Sequence, residues 1–145
     1  MIEDRRASVI VSDDFFYSIA GKVSLSGVYI QDLVVPFDGS PIGQLVFFFT
    51  IETPKERPFK TVSIKIQFPG QEPKFTPIPI FPRVFQTDPR RTKIVIKQPI
   101  LIQQISLSPG KIQATVIHEE GEIDAGVIWI VLATDAPPTN TQPEI

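Results

Sequence analysis

Cysteine is absent from the chain, and histidine, tryptophan and methionine occur once each. The first absence removes disulfides, thiolate nucleophiles and every cysteine-based zinc or iron–sulfur site. The single histidine, His118, removes any site built on two imidazoles, including the zinc motif that HEEGE at 118–122 begins to spell. No G-x-S-x-G elbow accompanies it, so His118 reads as a solvated turn histidine and not as a triad base. Gly21-Lys22 and Gly110-Lys111 lack the upstream glycine and the following Ser or Thr of a phosphate-binding loop. Long apolar runs are missing as well. The richest stretch, Ala125–Ala133, is about half of the ~20 residues that a membrane helix needs, and reads as a buried strand. Val9–Val11 is far short of a signal-peptide core, which makes a cytoplasmic location the expectation. An excess of one charge is lacking too: 14 basic and 16 acidic residues leave a net charge of −2, which predicts no general affinity for nucleic acid or anionic membrane.

What the chain has is proline and β-forming residues. Fifteen prolines in 145 residues are about twice the usual ~5% share and leave almost no room for a helix. An apolar content of 42%, with 21% charged residues and a mean hydropathy of +0.10, is that of a folded domain. Period-two runs rich in Val, Ile and Phe predict eight strands. They are Ala7–Ser12, Lys22–Ile30, Gln44–Glu52, Lys60–Phe68, Thr92–Gln98, Ile100–Leu107, Lys111–His118 and Glu122–Ala133. In TVSIKIQF, Val62, Ile64, Ile66 and Phe68 share one face, with polar residues on the other. In QLVFFFTIE both faces are apolar, which predicts a strand covered on both sides, with Phe47 and Phe49 turned to the core. Trp129 is expected to be buried in the last strand. Gly121 marks a hairpin between the last two strands, and Pro99 is expected to break the pattern where the chain changes sheet. The fold expected is an antiparallel β-sandwich, with a β-barrel as the alternative, formed by one domain over 1–134. Residues 135–145 lose all periodicity and read as a flexible tail.

Candidate chemistry is sparse. Asp13 and Asp14 end the first predicted strand and open a connection that holds Phe15, Phe16, Tyr17 and Ile19, aromatics expected to plug one end of the sandwich. The acidic pair reads as loop punctuation, its carboxylates accepting backbone N–H groups, while Asp13, Asp14 and Asp38 are the candidates for a calcium site gathered from several loops. Five bases between Arg83 and Lys97, against Asp88, face an acid-only stretch from Ile112 onward, an arrangement that reads as mutual neutralisation. The segment Pro69–Pro89 combines six prolines with Phe75, Ile78, Ile80, Phe81, Val84 and Phe85. Its prolines forbid a central strand or a helix. Its apolar side chains either cover the domain's own sheet edge or form a docking surface anchored by Ile78, Ile80, Phe81 and Phe85.

ASVIVSDD, GKVSLSGVYI, LVFFFTIETP and PGKIQATVIHEEGEIDAGVIWIV, in that order, resemble a family of small bacterial proteins of unknown function. The resemblance implies a β-sandwich and carries no reaction, substrate or site residue. The functional expectation is a non-enzymatic binding or assembly module whose partner is another protein or a copy of itself, without a cofactor, a small-molecule substrate or nucleic acid. A calcium-dependent membrane or ligand-binding module is the alternative, and a minor hydrolase the third reading.

Overall fold

A computed structural model describes residues 4–80 and 89–135. Among them there is no helix, and nine strands form two sheets packed face to face. The strands are β1 (Arg6–Tyr17), β2 (Val23–Val28), β3 (Leu33–Val35), β4 (Ser40–Pro54), β5 (Val62–Gln67), β6 (Lys74–Ile78), β7 (Lys93–Leu107), β8 (Gly110–His118) and β9 (Gly121–Leu132). One sheet runs β2-β1-β4-β7, the other β3-β9-β8-β5-β6, and every pairing is antiparallel except β3 with β9. This is the all-β sandwich that the alternating runs demand.

The core lies where the predicted faces meet. Leu45, Phe47, Phe49 and Ile51 of β4 are fully buried, and so, across the interface, are Val62, Ile64, Ile66 and Phe68. The Phe47 and Phe68 rings meet edge to face at 5.9 Å, and each such side chain contributes about 1.5–3 kcal/mol by leaving water. The other face of β4 is buried at Val46 and Phe48, as befits a strand flanked by β1 and β7.

Four expectations are corrected. Pro99 does not end a strand: β7 is continuous and Pro99 pairs with Phe48. β7 pairs with β4 alone and is an edge, and an edge strand tolerates a missing N–H on its open side. The irregularity in β7 lies instead at Gln104 (φ 53°), where the inward face passes from Ile100 and Ile102 to Ile105 and Leu107. Second, Asp13 and Asp14 do not open a loop. β1 runs on to Tyr17 and turns back through Ser18–Lys22, so the aromatics belong to a hairpin and Phe16 and Tyr17 stand exposed. The acidic pair fits inside the strand because Gly27 faces it across β2: a Cβ there would lie 2.3 Å from Asp13 Oδ2, and its φ is +68°. Third, Trp129 is 53% exposed, because β9 alternates and turns Ile128 and Ile130 inward. Fourth, β3 and β6 are strands that the pattern did not announce, one only three residues long and the other interrupted by Pro77, both at sheet edges. The proposed tail lies, from residue 136 on, outside the described residues.

Phe49→Ala is expected to cost about 3–5 kcal/mol in urea denaturation, as a cavity in a packed interior. Trp129→Ala is expected to cost less than about 1 kcal/mol, the behaviour of a surface side chain. Equal losses at the two positions would contradict the inward and outward assignment of β4 and β9.

Candidate functional site

Two features stand out among the described residues, one charged and one apolar. The charged one centres on Arg5, which is only 5% exposed. Its guanidinium has five N–H groups. Nε donates to Thr53 Oγ1 (3.0 Å), one terminal nitrogen to His118 Nδ1 (2.9 Å) and Glu119 Oε2 (2.6 Å), and the other to the carbonyls of Arg57 (3.1 Å) and Pro58 (3.3 Å). The Phe59 ring lies 4.4 Å beneath the charge. Glu119 Oε1 accepts the backbone N–H groups of Lys60 and Thr61. Further out, Arg57 pairs with Asp4 and Glu120.

This arrangement fixes protonation states. His118 Nδ1 faces the Arg5 N–H and the Glu120 amide, both donors, so the ring proton sits on Nε2 and the imidazole is neutral. Burial and the Arg5 charge push the His118 pKa below 6.5, against the opposing pull of Glu119 and Glu120. Burial alone would raise the Glu119 carboxyl, but the bonds from Arg5, Lys60 and Thr61 outweigh it and hold the pKa down at about 2. Both imidazole and carboxylate are committed to locking the sheets together, with no activated hydroxyl among their bonding partners. Sequence reasoning missed Arg5 altogether, since one arginine near a chain end carries no pattern. It also assigned the acids of the turn to the bases of 83–97, whereas Glu119 and Glu120 are neutralised by Arg5 and Arg57.

The apolar feature is a crevice of about 370 Å³ between the sheets, on the side where β1 faces β9. Phe47 and Ile112 form its floor, Val9 and Val11 one wall, Ala114 and Ile128 the other. The crossover from β2 to β3, Val28–Gln31, closes it from outside. Gly126 is needed at its edge: a Cβ there would lie 3.1 Å from Val9 Cγ1. The only polar side chains of the lining are those of Tyr29 and Gln31. Tyr29 donates its hydroxyl to Asp13 Oδ1 at 2.5 Å, and burial followed by that bond and charge raises its pKa.

The proposed site residues fall as follows. Asp13 holds Tyr29, while Asp14 Oδ1 accepts from the Phe15 amide and from Gln44 Nε2. Asp38 lies in the turn before β4. Among the described residues no three Asp, Glu or His side chains converge to hold a metal ion. Ile78 is buried in the core and Ile80 packs partly buried against it, a placement that favours the covering role over the docking one for these two. Phe81 and Phe85 lie outside the described residues. No helix among the described residues is long and apolar enough to cross a membrane. No family model, no curated protein and no solved structure matches the chain.

Three outcomes are expected from this geometry. Arg5→Ala should destabilise by about 3 kcal/mol, the low end for breaking a buried pair, because Glu119 stays partly solvated. Stability should fall with acidification in two stages, since both groups bind protons less readily when folded. Below pH 6.5 the unfolded chain protonates a histidine that the fold keeps neutral, and below pH 4.5 it protonates a carboxyl that the fold keeps ionised down to about 2. In melting curves against pH, His118→Gln should flatten the first stage and leave the second; an unchanged profile would disprove the coupling. Millimolar calcium should shift the melting temperature by no more than about a degree or two, as Asp13 and Asp14 already accept protein donors. A shift of several degrees would restore the calcium reading.

Proposed function

We propose that this domain is a non-enzymatic binding module that receives a small apolar molecule in the crevice between its sheets. The crevice itself carries the reading. Its volume of about 370 Å³ falls in the 300–1,000 Å³ range of small-molecule sites and is more than twice the ~150 Å³ that holds a benzene. A bound apolar group would cover the lining side chains that stand exposed, Ile10, Val28, Ile30 and Val127.

A second reading, association with another protein or a second copy, draws on a separate observation. Among the described residues, ten of the twelve exposed large hydrophobic ones lie on β1, β2, β3, β9 and their connections. Among them are Ile10, Ile30, Val34 and Trp129, and only Phe75 and Leu101 lie elsewhere. Exposed apolar side chains on these strands are what a contact surface would use.

Titration with the neutral fluorescent probe N-phenyl-1-naphthylamine separates the two. Saturable binding at one site per chain, lost in Ala114→Leu at equal or higher melting temperature, is the outcome expected if the crevice is the site. Absence of saturable binding, or binding that survives Ala114→Leu, would overturn it. Concentration-dependent sedimentation abolished by Trp129→Ser would then favour the second reading.

A further inference from the structure

We propose that the crevice selects apolar molecules whose polar end is a hydrogen-bond donor, a hydroxyl or a protonated amine, and rejects those that end in a carboxylate. The inference rests on the binding reading above and adds the chemistry of the head group. Inside the crevice the lining offers only dispersion and apolar burial, so it cannot tell one head group from another. Discrimination must come from the polar groups at its edge, which are acceptors apart from the neutral Gln31 amide.

Tyr29 reaches the crevice from the β2–β3 crossover, but its single O–H proton is already given to Asp13 Oδ1. What its oxygen has left is acceptor capacity alone. Burial and the neighbouring carboxylate keep that proton in place, since both raise the hydroxyl's pKa. Asp13 itself is an acceptor, its Oδ2 lying over the backbone of Gly27, next to Val28 of the lining. Among the described residues no Lys, Arg or His lines the crevice. Gln31, the one lining side chain that can donate, is neutral.

A carboxylate brought to this edge would meet the Tyr29 oxygen and the nearby Asp13 charge, with the neutral Gln31 amide as its one lining side-chain donor. Desolvation without a partner is costly for an ion, and the Asp13 charge adds repulsion. A hydroxyl or ammonium group in the same place donates to the Tyr29 oxygen or to Asp13, and an ammonium gains a charge-assisted bond. Chains of equal length bury equal apolar area, so their difference in affinity reports the head alone.

The test is displacement of N-phenyl-1-naphthylamine from the full chain by octan-1-ol, octylamine and octanoate at pH 7.5. Octan-1-ol and octylamine are expected to displace the probe at about one-tenth of the octanoate concentration or less, a free-energy gap of about 1.4 kcal/mol. In Asp13→Asn the advantage of octylamine over octanoate should shrink severalfold, while octan-1-ol changes little. Amide shifts induced by octan-1-ol in the wild-type chain should centre on Val9, Tyr29, Ala114 and Ile128, which locates the site without any substitution. Octanoate competing as well as octan-1-ol would overturn the head-group inference while leaving the crevice as a binding site. Shifts centred elsewhere would overturn both. Failure of the probe to bind at all would remove the binding reading itself.

Discussion

One guanidinium fastens the two sheets. Arg5 stands just before β1 in one sheet, bonds Thr53 at the end of β4 beside it, and reaches His118 and Glu119 at the end of β8 in the other. A charge buried this deeply costs several kcal/mol unless every proton is matched and an opposite charge is near. Here all five protons have acceptors, and the carboxylate that balances the charge is itself held by two backbone amides. The loop after β4, the turn after β8 and the Phe59 ring are therefore placed together. About six residues farther along β1, some 20 Å at strand rise, the sheets lack such a fastening, and there the interior opens into the crevice.

Much of the fold was legible because the signal is local. The alternation in TVSIKIQF and QLVFFFTIE names the buried residues, and the β8–β9 hairpin is announced by its glycine. What failed was whatever depended on neighbours. Pro99 resembles a break until β7 is known to be an edge, and Asp13-Asp14 resembles a loop until Gly27 is seen opposite. Trp129 is expected inside from its place in an apolar strand, but the bulge at Ala114/Thr115 and the register of β9 decide which residues turn inward. Neither feature of the site was legible. The Arg5 bonds join residues 48 to 114 positions apart, and the crevice is a gap between β1 and β9, defined by how the sheets stack and not by any motif.

The prolines that exclude helices also guard the sheet edges. β7 presents an edge of fifteen residues, long enough to template a foreign strand, yet it carries Pro99 near its middle and Lys93 and Lys97 toward one end. β6 carries Pro77, β2 is kinked at Gly27, and β3 offers only three residues. Each is a known way of making an edge unattractive for pairing. Among the described residues, large exposed apolar side chains fall mostly on β1, β2, β3, β9 and their connections.

The Arg5–Glu119 bond also imposes an order on assembly. Its partners are 114 positions apart, so closing that contact first would cost roughly 4 kcal/mol in chain entropy beyond the cost of a minimal loop. Hairpins such as β1–β2 and β8–β9 close over far shorter distances and are available much earlier. On a ribosome the guanidinium is made roughly 6 to 23 s before its carboxylate. During that interval β1 and β4 can pair while Arg5 stays hydrated. The sandwich is thus fastened last, through a residue synthesised long before its partner.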